Sequence, residues 1–459
     1  MRWRDTTVVL FEVCPKAVTL VLCRVLAATV LLAGQPLLLG VVLDVPADFI
    51  AWRAFAAAAD KPQEKTRKTP ALSQAVYEKL TEAQALAEEG NSGAALRVLN
   101  GVRDNRRNKL NSYELANLYN MYAFIRFQQE RYQQAIGEYK KVLAQPNLPL
   151  AMTTNTHYSL AQLYFVVENY PAAISSLQRW FALAENPQPE AYVLLAQAYY
   201  QTRSYNKALQ NIERAMSLAR AKGKAPQENW YLLQRALYYD KGDYKKVARV
   251  LEQLLRRWPK KEYLTQLSGI RGELRDTRGQ LVAMETAYQA GMLSTEQEWL
   301  NMAYLYLGTD TPYKAAQVLQ RGLDQRMIKA NARHYQLLGN ALRAAQEQDR
   351  AIPVLVRAAE LAGDGEPWAQ LANIYLDIGD YGKAARAART ALGKGKLRRP
   401  DQMYVAWGMA LYNLDQLDTS RTQFEKAAKD RRSRQLATDW IDFLDGELLR
   451  RAALQDGLG

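Results

Sequence analysis

The sequence predicts an all-α protein in which about ten helical hairpins stack as a solenoid, ended by one further helix. Residues that favour helices dominate the chain after residue 70, and glycine (25) and proline (16) are few for 459 residues. In addition, a tyrosine followed three residues later by a small residue recurs every 33 to 39 residues. Because one hairpin cannot bury its apolar side alone, its neighbours must cover it.

The N-terminal residues 1–59 predict a signal peptide or a membrane anchor. Residues 25–43 are uncharged and follow four basic residues, which is the polarity of an export signal: Arg2, Arg4, Lys16 and Arg24. Small residues before Asp60 fit cleavage at that point, and a polar linker follows over 60–74. Since 19 uncharged residues approach the roughly 20 that span a bilayer, an uncleaved anchor with the repeats in the periplasm is the alternative. A buried helix, or a start codon placed too far upstream, also stays open because the segment is long for a leader.

Residues 75–430 hold the predicted repeat array. The clearest copies of the pattern place the small residue at Ala135, Ala173, Ala208, Val247 and Ala384, and weaker copies place it at Ala95, Ala315, Ala351 and Ser420. One more copy is predicted over residues 275–287. A second small residue recurs in the first helix of the pairs, at Ala123, Ala161, Ala196, Ala303, Gly339, Ala372 and Gly408. Arg235 interrupts this series, so we expect irregular packing or a bend over 228–255.

Each unit resembles the tetratricopeptide repeat, which is two antiparallel helices in about 34 residues. In the best copy the small Ala372 admits the second helix, Tyr375 lies one turn later on the same face, and Gly379 ends the first helix. The resemblance implies a right-handed α-solenoid of tetratricopeptide hairpins. Residues 431–459 are predicted as a C-terminal capping helix and tail, whose apolar face contains Leu436, Trp440, Phe443, Leu444 and Leu448.

The sequence offers no pattern typical of catalysis or metal binding. Its two histidines, His157 and His334, occupy bulky core positions of distant repeats, and both cysteines, Cys14 and Cys23, precede the array. A histidine or cysteine metal site and a disulfide are therefore not expected among the repeats. Phosphate-loop, dinucleotide and nucleophile-elbow motifs are missing from the sequence. We predict a protein that is not an enzyme and that needs no cofactor and no metal.

The net charge of +14 would suit nucleic acid, an anionic membrane surface or an acidic protein. The basic residues occur as short clusters typical of solvated helix ends and loops, and aromatic residues do not alternate with them on one stripe. We therefore expect no nucleic-acid partner. A cytoplasmic nucleic-acid-associated repeat protein is kept as the weaker alternative.

A stack of helical hairpins offers a long inner wall formed by its first helices, where an extended or helical peptide can bind. Amide and aromatic side chains on this wall suit a peptide backbone and its apolar anchors. The alternative is that they only cover the inner surface. The Lys, Arg and Asn set of a terminal-carboxylate clamp is not assembled in the sequence. The candidate partner-binding residues are Asn120, Phe124, Phe127, Gln162, Phe165, Gln197, Tyr200, Asn340, Asn373 and Tyr412.

Two segments, residues 65–84 and 109–120, are more particular than the repeat pattern. With them, the sequence from about residue 61 onward resembles the proteobacterial tetratricopeptide proteins described as components of the TonB system. The resemblance implies a soluble periplasmic adaptor that works with TonB, ExbB or ExbD in outer-membrane transport. A membrane-anchored envelope assembly factor is the main alternative, with attachment through residues 25–43.

Overall fold

The computed structural model describes residues 71–105 and 109–456. The predicted signal peptide or anchor, and the linker up to residue 70, lie outside these ranges. Within them the protein forms 21 α-helices and no strand, so the predicted all-α solenoid of helical repeats is confirmed. No helix in these ranges is both long enough and apolar enough to cross a lipid bilayer.

The first 20 helices form ten successive hairpins, each with an odd-numbered first helix and an even-numbered second helix, and α21 follows them. The helices are α1 (Gln74–Glu88), α2 (Ser92–Arg103), α3 (Ser112–Gln128), α4 (Tyr132–Leu143), α5 (Leu150–Val166), α6 (Tyr170–Leu183), α7 (Pro189–Gln201), α8 (Tyr205–Ala221), α9 (Glu228–Asp240), α10 (Tyr244–Arg257), α11 (Lys261–Glu273), α12 (Thr277–Gln289), α13 (Glu296–Gly308), α14 (Pro312–Asp324), α15 (Ala332–Ala344), α16 (Gln348–Leu361), α17 (Glu366–Asp377), α18 (Tyr381–Lys394), α19 (Pro400–Asn413), α20 (Leu417–Ala428) and α21 (Arg434–Asp456).

The protein divides into two compact units, Met1–Leu237 and Tyr238–Gly459, called unit 1 and unit 2 below. In unit 1, the hairpins α1–α2, α3–α4, α5–α6 and α7–α8 each pack their two helices together. In unit 2, the five hairpins from α11–α12 to α19–α20 do the same. Arg235, which interrupts the series of small residues, lies in α9 two residues before the boundary between the units.

The recurring small residues lie where the two helices of a hairpin come closest. Those predicted for the second helices are all buried: Ala95, Ala135, Ala173, Ala208, Val247, Ala315, Ala351, Ala384 and Ser420. At Gly339 a β-carbon would lie 2.5 Å from the Leu355 side chain, and at Gly408 it would lie 2.8 Å from the Phe424 ring. A larger residue would separate the helices or force strained rotamers, which explains the pattern.

In the sixth hairpin, α11–α12, the repeat pattern is difficult to see in the sequence because a larger residue replaces the small residue of the second helix. Counting from the residue that precedes each second helix, Gln280 occupies the position that Ala384 and Ala351 hold elsewhere. Ser268 in α11 donates a hydrogen bond from its Oγ to the Gln280 carbonyl oxygen at 3.1 Å. The equivalent bond, from Ser420 Oγ to the Gly408 carbonyl oxygen at 2.8 Å, runs in the opposite direction between the helices of the tenth hairpin.

All ten hairpins turn through one residue in the left-handed region, placed two positions before the second helix. Glycine fills it three times, at Gly90, Gly242 and Gly379, with φ between 69° and 83°. The other seven are Glu130, Glu168, Arg203, Arg275, Asp310, Gln346 and Asp415. Because non-glycine residues adopt this conformation at a cost, packing of the hairpin must impose it. The sequence identified the turn at Gly379 but could not identify those seven.

Lysines near the start of four second helices lie over tyrosines of the preceding first helices. The ammonium groups of Lys207, Lys246, Lys314 and Lys383 lie 5.1 to 5.6 Å from the ring centroids of Tyr199, Tyr238, Tyr306 and Tyr375. Such cation–π contacts contribute about 0.5–1 kcal/mol at exposed sites. Part of the positive charge of the protein therefore has a structural role inside its own hairpins.

The C-terminal helix α21 covers the last hairpin. Phe424 is fully buried and stacks on Trp440, with ring centroids 5.1 Å apart and an interplanar angle of 4°. Ala437 and Leu444 are also fully buried. Of the apolar residues predicted for this helix, Leu436 and Phe443 are each 50% exposed, because they lie about 100° around the helix from the fully buried Ala437 and Leu444.

A buried carboxylate joins the start of α19 to the start of α21. The side chain of Asp401 is 1% exposed. Its Oδ2 accepts hydrogen bonds from Arg399 Nη2 and from Ser433 Oγ, each at 2.6 Å. The guanidinium of Arg399 and the Ser433 hydroxyl hold the pKa of Asp401 well below its usual range.

Replacing Asp401 with asparagine should lower the melting temperature at pH 7 and make it less sensitive to acid. The lowered pKa of Asp401 contributes stability that is present above the ordinary value of about 4 and is lost as the pH falls below it. The difference in melting temperature between the wild type and Asp401→Asn should therefore shrink as the pH falls below about 4. Thermal unfolding followed by circular dichroism between pH 7 and pH 3 measures it.

The exposed Asp442→Asn variant on α21 is the control, since it removes a carboxylate without a buried partner. It should leave the melting temperature nearly unchanged at each pH. A pH-independent difference for Asp401→Asn would contradict the assigned role of the Asp401 charge.

Candidate protein-binding surface

All ten predicted binding residues lie on first helices, as expected for a wall built from them. Seven belong to unit 1, on α3, α5 and α7: Asn120, Phe124, Phe127, Gln162, Phe165, Gln197 and Tyr200. Three belong to unit 2, on α15, α17 and α19: Asn340, Asn373 and Tyr412. The predicted residues therefore form two separate groups, which are described in turn.

Three of the unit 1 aromatic residues pack within their own hairpins. Each lies at the end of a first helix and contacts the tyrosine that opens the second helix, with ring centroids 5.2 to 5.8 Å apart: Phe127 with Tyr132, Phe165 with Tyr170, and Tyr200 with Tyr205. Phe165 is only 7% exposed, so a partner cannot reach its ring without rearranging the core. These contacts stabilise the turns between the paired helices.

The four remaining unit 1 residues are half-buried: Asn120, Phe124, Gln162 and Gln197. Asn120, Gln162 and Gln197 carry amides that form no hydrogen bond with another residue in the described part of the protein. Gln162 and Gln197 each follow the buried alanine of their first helix, Ala161 and Ala196. Equivalent positions of neighbouring hairpins therefore present the same unused amide group.

The two helices that carry Gln162 and Gln197 contain little charge of their own. Helix α5 contains no acidic residue, lysine or arginine, and α7 contains only Glu190. Burial, together with the nearby Arg179 guanidinium, lowers the pKa of His157 on α5, so this imidazole is neutral at pH 7. We call Asn120, Gln162 and Gln197 the neutral amide row.

In unit 2 the amides bond to one another. Gln336 on α15 donates from Nε2 to Gln370 Oε1 on α17 at 3.0 Å, and Gln370 donates from Nε2 to Asn340 Oδ1 on α15 at 2.9 Å. Asn340 is among the residues predicted from the sequence, but Gln336 and Gln370, which stand one helical turn earlier on the same faces, are not. Asn373, one turn after Gln370, is exposed.

Tyr412 differs from the other predicted residues because it packs against the C-terminal helix. Its ring centroid lies 5.4 Å from that of Trp440 and 5.6 Å from that of Phe443.

Tyr304 was not among the predicted residues, although it occupies the same position on its first helix as Gln162 and Gln197 on theirs, directly after the small residue. It is 45% exposed. Its place after Ala303 could have identified it.

The histidine, cysteine, aspartate and glutamate side chains of the described ranges do not group into a metal site. No cluster of three histidine, cysteine, aspartate or glutamate side chains there is placed to hold a metal ion. His334 is buried and its Nδ1 lies 2.8 Å from the Lys329 carbonyl oxygen, which fixes the ring in the core.

Comparison with protein families identifies tetratricopeptide repeats in two parts of the sequence, residues 189–222 and residues 370–436. The first part spans α7 and α8, and the second covers α18 to α20 with most of α17. Tetratricopeptide repeats generally mediate protein–protein interactions and typically form non-catalytic scaffolds. No curated protein matches this sequence.

Solved structures of helical-repeat proteins are similar to parts of this protein. A tetratricopeptide repeat protein from Parabacteroides merdae is 19% identical over 66% of this chain and 100% of its own, with a TM-score of 0.33. The structure of Naa15/Naa10 bound to HypK-THB matches at 15% identity over 80% of this chain and 66% of its own, with a TM-score of 0.41. YrrB, described as a tetratricopeptide protein with an unusual peptide-binding site, matches at 15% identity over 42% of this chain and 97% of its own, with a TM-score of 0.33.

Proposed function

We propose that the protein is a non-catalytic scaffold that binds an extended polypeptide segment along the first helices of unit 1. The observation that carries this proposal is the neutral amide row, in which Asn120, Gln162 and Gln197 are half-buried without a hydrogen-bond partner among the described residues. Polar groups that are partly removed from water gain most from a partner that supplies hydrogen bonds.

A polypeptide backbone provides the groups that the row requires. The amide of a glutamine can donate to a backbone carbonyl oxygen and accept from a backbone N–H group at the same time. Repeating Gln162 at Gln197, one hairpin later, presents this pair of functions again to the next part of a bound peptide. Since α5 contains no acidic residue, lysine or arginine, recognition here depends on backbone groups more than on charged side chains.

Apolar contacts next to the row would anchor the bound segment. Phe124 is half-buried and follows Ala123 as Gln162 follows Ala161. Val166, at the end of α5, is 38% exposed. These side chains offer apolar surface on α3 and α5, and such anchors supply much of the affinity in peptide recognition.

The double variant Gln162→Ala, Gln197→Ala should weaken binding of peptides selected by the wild type. Peptides enriched from a random phage-displayed library are labelled and titrated in fluorescence anisotropy. Losing one hydrogen bond costs about 1 kcal/mol, so the two together should raise Kd by about 30-fold.

The matched control is Gln134→Ala, Gln210→Ala, which removes two exposed glutamines from the second helices α4 and α8. This control should bind the same peptides with a Kd within about twofold of the wild type. Equal affinities for the wild type and the Gln162, Gln197 variant would rule out the neutral amide row as the binding surface.

We further propose that this scaffold is a periplasmic adaptor of the TonB system. The support is the resemblance of residues 65–84 and 109–120 to tetratricopeptide proteins of that system. The export polarity of residues 1–59 also favours the periplasm over the cytoplasm.

Photo-crosslinking in living cells tests this finer proposal. A photoreactive amino acid at position 162 or 197 should crosslink to TonB, ExbB or ExbD, and fractionation should recover the protein in the periplasm with a mature start near Asp60. Crosslinks to other envelope proteins alone would reject the TonB role while leaving the peptide-binding scaffold intact.

A further inference from the structure

We infer that unit 2 carries a second binding surface, on α15 and α17, that takes an acidic segment with two carboxylate side chains. The four residues Arg333, Gln336, Asn340 and Arg343 follow one another at spacings of three, four and three, so they form one stripe along α15. The two arginines stand at the ends of the stripe, and the two amides stand between them.

No residue that the structure describes neutralises the guanidinium groups of this stripe. Arg333 and Arg343 are exposed, and neither forms an ion pair or hydrogen bond with another residue of the described ranges. Some other arginines of unit 2 do form ion pairs, such as Arg271 with Asp276 at 2.8 Å and Arg399 with Asp401 at 2.6 Å. The charge of the stripe is therefore available to an outside anion.

Carboxylates on the neighbouring first helices are mostly engaged elsewhere. Glu296 at the start of α13 accepts a hydrogen bond from the Lys329 backbone N–H at 2.8 Å. Glu366 at the start of α17 accepts one from the Arg398 backbone N–H. Asp377 is exposed and lies at the end of α17, level with Arg343 at the end of α15, so it lowers the positive potential at that end of the stripe without forming an ion pair with Arg343. The centre of the surface therefore contains amides, with the two guanidinium groups on either side of them.

The hydrogen bonds to Gln370 hold the two central amides in place. Gln370 accepts from Gln336 and donates to Asn340, so it joins the middle of the stripe to α17. The Nδ2 of Asn340 then remains a donor beside Arg343, and the Oε1 of Gln336 remains an acceptor beside Arg333. Fixed amides between two guanidinium groups would bond the peptide backbone between two acidic side chains.

The spacing of the arginines sets the spacing of the carboxylates. Their α-carbons are ten residues apart on one helix, or about 15 Å along its axis. An extended peptide that rises about 3.3 Å per residue covers this distance in four or five residues. The expected ligand is an extended segment whose acidic residues stand four or five positions apart, rather than a polypeptide terminus.

This inference concerns unit 2 and does not rest on the neutral amide row of unit 1. The probe is a short fluorescein-labelled peptide of serine and alanine with two glutamates four residues apart and an amidated C-terminus. It should bind the wild type and the Gln162→Ala, Gln197→Ala variant with equal affinity in fluorescence anisotropy. The Arg333→Gln, Arg343→Gln variant should bind it at least about tenfold more weakly, because both charge-assisted contacts are lost.

The matched control is Arg386→Gln, Arg389→Gln, which removes the same charge from exposed positions on the second helix α18. It should bind the probe as the wild type does, and a probe with adjacent glutamates should bind the wild type at least about threefold more weakly. Three results would each overturn the inference: no binding of the probe, equal losses in the two arginine variants, or tighter binding of a single-stranded RNA through the same two arginines.

Discussion

Replacing Phe424 with alanine should destabilise unit 2 by about 3–5 kcal/mol, the cost of truncating a fully buried phenylalanine. The Phe424 ring has no exposed surface and stacks on Trp440, so its loss leaves a cavity between α20 and α21. It also fills the space beside Gly408, where a β-carbon would lie 2.8 Å from the ring. Thermal unfolding, with hydrogen exchange of α21 as a local measurement, should show a lower melting temperature and faster exchange in α21.

Phe443→Ala provides a control with the same chemistry. Phe443 also contacts Trp440, with ring centroids 5.8 Å apart, but its side chain is 50% exposed. Its truncation should cost less than about 1 kcal/mol. Comparable melting temperatures for the Phe424 and Phe443 variants would show that α21 is not held by the buried ring.

Replacing Gly365 with alanine should destabilise unit 2 by about 3 kcal/mol, the upper part of the range for overpacking. A β-carbon at this position would lie 2.1 Å from the Ala391 carbonyl oxygen and 2.9 Å from the Gly395 carbonyl oxygen. Both oxygens belong to the backbone, so they cannot move aside by rotation as the end of a flexible side chain can. The Gly365 N–H donates to the Gly395 carbonyl oxygen at 2.9 Å, so moving the segment also breaks a hydrogen bond.

Gly363→Ala is the control, because a β-carbon at Gly363 would meet no atom within 4 Å. This change should leave the melting temperature unchanged or raise it slightly, since alanine reduces the entropy of the unfolded state. An equally small effect for Gly365→Ala in thermal unfolding would mean that the link between α16 and α17 moves freely.

The sequence alone predicted the fold because most hairpins need a small residue at the contact between their two helices, so the same pattern recurs many times along the chain. Ala135, Ala208 and Ala384 recur at matching places in long helical patterns, and each is buried. The copy predicted over residues 275–287 was harder to place, because Gln280 stands where other second helices have a small residue; its carbonyl oxygen accepts the hydrogen bond from Ser268. The sequence also could not predict which non-glycine residues, such as Glu168, adopt the left-handed conformation, since packing of the hairpin imposes it.

For the proposed binding surface, the sequence predicted which helix face each residue belongs to, because a period of 3.6 residues relates the positions along one helix. It could not determine what each side chain meets there. Only the tertiary structure showed that the Phe165 ring packs against Tyr170 and that Gln370 bonds to both Gln336 and Asn340. It also showed that the Gln162 amide has no hydrogen-bond partner among the described residues. The reason is physical: periodicity along one helix carries no distance to the next, and hydrogen bonds and ring contacts between helices depend on that distance.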